Sequence, residues 1–172
     1  FIMASFRAHL ITELRHSNCV ETIMNHLNEY VWLDVHGSMY VTFFMGFLDS
    51  GTGQFQYVNA GHCYPIILKT DGSLLELQEG GFYLGMQAES TYQKGEVTLE
   101  SGDLLFLYTD GVTDQLNEQK GIFGKERLLD ILRKFQTMPV QDMLDHVISE
   151  IFSFLEGEDL FDDLTISLIR KK

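Results

Sequence analysis

A chain of 172 residues, 45% of them hydrophobic, is long enough to bury a sizeable core and too apolar for a disordered segment. Its 25 acidic residues against 12 basic ones give a formal charge of -13. That excludes a surface for DNA or RNA and suits a soluble acidic protein or one that gathers divalent cations. The two cysteines, Cys19 and Cys63, make no CxxC and no paired Cys/His spacing, which excludes zinc fingers and disulfide scaffolds and predicts packed, reduced thiols.

The chain opens without Met, inside a helical pattern that puts Met3, Phe6, Leu10 and Leu14 on one face, and so reads as a piece of something longer. Asn18, with Glu21 three residues on, predicts the cap of a second helix striped by Val20, Ile23, Met24, Leu27 and Val31. From Met39 the grammar becomes β-branched and aromatic. "MYVTFFMGFLD" and "QFQYVNAG", joined by "SGTG", read as a hairpin. "YPIILKTDGSLLEL" reads as another, with Asp71-Gly72 at its tip, and "GEVTLESGDLLFLYTDG" as a further strand pair turning at Ser101-Gly102-Asp103. Tight turns predict antiparallel pairing. A helix follows Gly124, carrying Leu128, Ile131, Leu132 and Phe135 inward. Pro139 opens another, striped by Val140, Met143, Leu144, Val147, Ile148, Ile151 and Leu155. "DDLTISLIRKK" closes the chain as a strand. The expectation is one α+β domain over residues 1–172. No apolar run reaches the roughly 18 residues of a bilayer span and no signal peptide is visible, so a cytoplasmic protein without a membrane span is expected.

Acids stand at the ends of two apolar strands. Asp110 follows Leu104–Tyr108, and Asp162 and Asp163 precede Leu164–Ile169. Both strands read as central and rigid, good posts for a charged group. Carboxylates gathered without Lys or Arg are tolerated when a cation neutralises them, and hard oxygen ligands suit Mg²⁺ or Mn²⁺. The plainer alternatives are a solvated loop, since five of the eight residues from 156 to 163 are acidic, and a simple Asp-Gly turn. An aspartyl-nucleophile site of the DxDG[TV] kind is rejected, because Tyr108 stands two residues before Asp110.

"YVNAGHCYPIIL", "GDLLFLYTDGVTDQLN", "FGKERLL" and "DDLTISLI", in this order and spacing, resemble the SpoIIE-like bacterial branch of the PPM (type 2C) metal-dependent serine/threonine protein phosphatases. The resemblance covers nearly the whole chain. It implies an α-β-β-α sandwich: two antiparallel sheets packed face to face, flanked by helices. It implies hydrolysis of phosphoserine or phosphothreonine in a protein by a water activated on two Mn²⁺ or Mg²⁺ ions, with no phosphoenzyme. By the same resemblance Asp110 and Asp162 are metal ligands and Asp163 an alternate or supporting one. The substrate is a phosphorylated protein such as an anti-sigma-factor antagonist, and an upstream sensor or receiver domain delivers the signal. His62, in Asn59-Ala60-Gly61-His62, is a candidate proton donor or a further metal contact. The structural reading, a turn residue packing on Tyr64, is preferred for it.

Two pieces of the family pattern, a GDxYD-like strand and a DxSGxG segment that supply further metal-binding aspartates, are not in this sequence. The chain is therefore expected to be N-terminally truncated, to lack strands that would pair with those present, and to be weak or inactive alone. The two N-terminal helices, with an apolar face partly uncovered, predict a homodimer or higher assembly. The alternative function is a catalytically incomplete, phosphatase-like interaction module.

Overall fold

A computed structural model describes residues 2–172. In chain order the elements are α1 (Ile2–His16), α2 (Val20–Val35), β1 (Phe43–Leu48), β2 (Gln54–Ala60), β3 (Ile66–Leu68), β4 (Leu74–Glu76), β5 (Gly80–Gly81), β6 (Gly95–Thr98), β7 (Leu104–Tyr108), β8 (Leu116–Asn117), β9 (Gly121–Ile122), α3 (Lys125–Lys134), α4 (Val140–Leu155) and β10 (Ile166–Arg170). A single 3-10 turn, Asp110–Val112, follows β7. The class is the mixed one expected: antiparallel sheets with helices packed on them. The elements sort into two compact units, residues 2–62 with Leu77–Thr98, and Cys63–Glu76 with Leu99–Lys172.

In the first unit β2 is the central strand. It pairs antiparallel with β1 (Phe43↔Ala60 through Leu48↔Phe55) and with β6, and it runs parallel to the two-residue β5. That short parallel pair is the exception to the antiparallel expectation. The α2 stripe Val20, Ile23, Met24, Leu27, Val31 and Val35 packs with Met45, Val58 and Ala60, as its period predicts. Two details of the helices differ from the sequence reading. Cys19, not Asn18, stands at the N-cap of α2, its amide held by Ser17 Oγ at 3.1 Å, and its exposed Sγ donates to Glu21 Oε2 at 3.2 Å. On α1, Phe6 is buried but Met3 and Leu14 are exposed, and Glu13 is buried instead. The acid is accommodated because His26 Nδ1 lies 2.7 Å from one of its oxygens and Tyr30 donates to the other at 3.3 Å.

The second unit is a four-stranded antiparallel sheet in the order β10-β7-β3-β4. Leu104, Phe106 and Tyr108 of β7 alternate onto one face, where α3 and α4 supply Leu128, Leu132, Met143, Val147 and Ile151. The chain after Pro139 forms the expected helix, with Phe154 buried where Leu144 and Ile148 are half-buried. The strand reading needs two corrections. β6 and β7 do not pair with each other: the turn at Ser101-Gly102-Asp103 hands the chain from one sheet to the other, β6 joining β2 and β7 joining β3 and β10. Asp103 fixes that turn, fully buried, accepting from the Glu100 amide at 2.9 Å and from Lys69 Nζ at 2.7 Å. And β7 is central, as expected, whereas β10 is an edge strand. Among the described residues β10 pairs with β7 alone and β1 with β2 alone, so each sheet keeps an open edge.

Candidate metal centre

The apolar run of β7 ends at Tyr108 because the next residues must leave the sheet. Thr109 bonds across to Thr165 in both directions, its amide to the Thr165 carbonyl at 3.1 Å and its Oγ1 from the Thr165 amide at 3.2 Å. That pins the start of one acidic turn to the end of the other. Asp110 then opens the 3-10 turn, with Oδ1 accepting the Gly111 amide at 3.0 Å. Asp162 does the same in its own turn, with Oδ1 accepting the Asp163 amide at 2.7 Å. Asp110, Asp162 and Asp163 are all exposed.

The two turns touch through backbone. A Cβ at Gly111 would lie 2.1 Å from the Asp163 carbonyl oxygen, so only glycine fits there. They are also braced by a residue the sequence reading did not single out. Gln115 is fully buried; its Nε2 donates to the Gly111 carbonyl at 2.6 Å and the Asp162 carbonyl at 2.9 Å, and its Oε1 accepts the Phe161 amide at 2.9 Å. Asp110 and Asp162, 52 positions apart by their numbers, thus stand on adjoining turns at one end of the β7–β10 pair. The local field is negative. The Cys63 thiol is pushed up first by burial and then by the charges of Asp110 and Asp114. Tyr108 is pushed up to about 12, again mainly by burial, with Cys63, Glu76 and Asp114 adding.

As a donor set, these carboxylates are hard oxygens, the chemistry that suits Mg²⁺ or Mn²⁺, and those of Asp110 and Asp162 are each steadied through one oxygen by a backbone amide. They do not complete a coordination shell: among the described residues no three His, Cys, Asp or Glu side chains gather closely enough to hold a metal. His62 belongs to the first unit, just past β2. Its amide donates to Asn59 Oδ1 at 2.7 Å, its carbonyl accepts from Asn59 Nδ2 at 3.0 Å, and its Nδ1 lies 3.4 Å from Thr42 Oγ1. Gly61 before it has φ +70, and a Cβ there would strike the Tyr83 ring at 2.2 Å. The turn is therefore built for shape, by Asn59 and Gly61 together.

The family model described as Stage II sporulation protein E (SpoIIE) matches residues 1–172. Protein IcfG of Synechocystis sp. is 33% identical over 141 residues, covering 81% of this chain and 22% of its own length. Phosphoserine phosphatase RsbU of Bacillus subtilis is 27% identical over 151 residues, covering 87% and 44%. The chain therefore spans less than half the length of either relative. Among solved structures, the SiaA-PP2C domain of Pseudomonas aeruginosa superposes with a TM-score of 0.83 at 19% identity, over 98% of this chain and 68% of that one. The PP2C phosphatase domain of SpoIIE from Bacillus subtilis, solved with a fragment of its regulatory domain, superposes at 0.76 with 17% identity, over 99% and 49%. These likenesses show the fold. With the family model matched from the first residue to the last, the chain belongs to the SpoIIE family.

Proposed function

We propose that residues 1–172 form a metal-dependent phosphatase module of a signalling protein, hydrolysing phosphoserine or phosphothreonine in a partner protein. The observation that carries this reading is the juxtaposition of the Asp110 and Asp162–Asp163 turns, braced by Gln115. Family membership supports it, as do a relative named a phosphoserine phosphatase and a SpoIIE phosphatase-domain structure described as presoaked with Mn. A bound Mn²⁺ or Mg²⁺ pair supplies Lewis acidity that brings the pKa of a water toward neutrality and offsets charge on a phosphoryl group. The chain's own part is positional. Asp110 and Asp162 offer carboxylate oxygens from rigid turns, Asp163 stands beside them, and Gln115 fixes the spacing of the two backbones.

In this reading the substrate is a phosphorylated regulator such as an anti-sigma-factor antagonist. An upstream sensor or receiver domain sets the activity, and the work is done in the cytoplasm. No helix among the described residues is long and apolar enough to cross a membrane. A second reading, an interaction module without turnover, is favoured by the incomplete donor set.

Manganese titration calorimetry together with hydrolysis of a phosphoserine peptide separates the two. The enzyme reading expects Mn²⁺ binding and Mn²⁺-dependent turnover, weak in this chain alone. Asp110→Asn and Asp162→Asn should each weaken both by more than the roughly 10–100-fold typical of residues behind a ligand. Absence of Mn²⁺ binding and of turnover would leave the interaction module.

A further inference from the structure

The end of the second unit that carries the acids also carries an apolar feature. Leu116 and Ile122, partners across the β8–β9 hairpin, are 43% and 61% exposed, and Leu160 and Phe161, just before Asp162, are 42% and 68% exposed. Single exposed apolar side chains are ordinary. Here four of them sit on two loops tied to one buried side chain, because Gln115 precedes Leu116 and accepts the Phe161 amide. The hairpin is further anchored by Asn117 Nδ2, which donates to the Phe154 and Leu155 carbonyls at 3.1 and 3.3 Å. The Glu118 amide donates to the Glu158 carboxylate, 3.2 Å from its nearer oxygen. An apolar rim held on a rigid support marks a contact surface.

The charge around the rim is mainly acidic, with Arg127 drawn in over the Phe123 and Phe154 rings at 5.3 and 4.5 Å. Asp114, Glu118, Glu158 and Asp159 are exposed, and the nearby Lys120 is paired with Glu156 at 2.8 Å. A phosphoserine is itself a near-dianion and is repelled by such a surface. Affinity for a phosphorylated segment must then come from its flanks.

We propose that this rim docks the substrate of the phosphatase reading, on which the proposal rests, and that it selects phosphoserine segments flanked by apolar and basic side chains. The apolar flanks cover Leu116, Ile122, Leu160 and Phe161. Lys or Arg at alternate positions meets Asp114, Glu118 and Asp159.

The test uses two phosphoserine peptides of equal length, one flanked by Leu and Lys and the other by Gly and Glu. Binding is followed by fluorescence anisotropy in EDTA, so that affinity is read apart from turnover. The Leu/Lys peptide is expected to bind about tenfold tighter, equivalent to ~1.4 kcal/mol. The double substitution Ile122→Ser with Phe161→Ser should remove most of that preference. Both side chains are more than half exposed, and a thermal melt checks that the variant is folded. Asp159→Asn should weaken the Leu/Lys peptide and flatten its salt dependence. Equal affinity for the two peptides, no measurable binding of either, or a preference that survives the double substitution overturns the proposal. Calorimetric Mn²⁺ binding by the unaltered protein judges the phosphatase reading separately. Absence of Mn²⁺ binding removes the enzyme and leaves the peptide result standing on its own.

Discussion

Gln115 does at the residue scale what the two acids cannot do for themselves. Carboxylates on separate turns repel, and something neutral must hold their backbones at a fixed spacing. One buried amide serves two carbonyls and one N–H, all from these turns. Gln115→Leu keeps the bulk but strands these groups, so a loss of about 1–3 kcal/mol in urea unfolding is expected. Gly111→Ala should cost a similar amount, about 1–3 kcal/mol, because its Cβ would sit inside the Asp163 carbonyl and the turn must move. The position of Asp110, Asp162 and Asp163 at the ends of apolar strands was legible in the sequence, and the family motifs marked the same acids. Gln115 was not: its partners at Phe161 and Asp162 lie 46 and 47 residues away, and nothing local in "TDGVTDQLN" marks it.

At the scale of elements, periodicity read the apolar stripes and missed the polar residues set into them. The α2 stripe was legible because five apolar side chains, Val20, Ile23, Met24, Leu27 and Val31, repeat at helical spacing, and the structure adds Val35. Asn28, in the same helix and 1% exposed, was not. It earns its burial by donating to the Gln87 and Ala88 carbonyls at 3.0 and 3.3 Å while accepting the Gly85 amide and the Tyr92 hydroxyl. Glu13 on α1 is the same case, an acid paired where an apolar residue was expected. Sheet membership was illegible for a different reason. A turn such as Ser101-Gly102-Asp103 looks alike whether it closes a hairpin or passes the chain between sheets.

Tyr92 gives α2 and its loop a pH signature. Burial raises its pKa to about 12 from the ordinary tyrosine value of 10.0. Above pH ~10 the unfolded chain loses this proton while the folded one keeps it, so the folded state is disfavoured. The contribution is complete below pH ~10 and declines as pH rises toward ~12. Tyr92→Phe should flatten the alkaline side of the stability profile, measured by denaturant unfolding across that window, against a background of Tyr108, which moves the same way.

For the whole molecule, α1 and α2 leave Met3, Leu14 and Leu33 in solvent, at 64%, 41% and 57%. Static light scattering at rising concentration should show a dimer, and Met3→Ser with Leu14→Ser should return it to a monomer. The helix-and-sheet class and the longer elements could be read from the sequence, while the two-residue strands β5, β8 and β9 could not. The division into two units could not, because each is assembled from two separated stretches of chain. The backbone crosses between them at His62–Cys63, at Glu76–Leu77 and at Thr98–Leu99. This braided connectivity means that no single cut yields either half as a continuous polypeptide. An expression trial that splits the gene at one boundary will separate strands that pair, β2 from β6 or β3 from β7. Refolding will be slow for its size, since distant segments must find one another before either core can close.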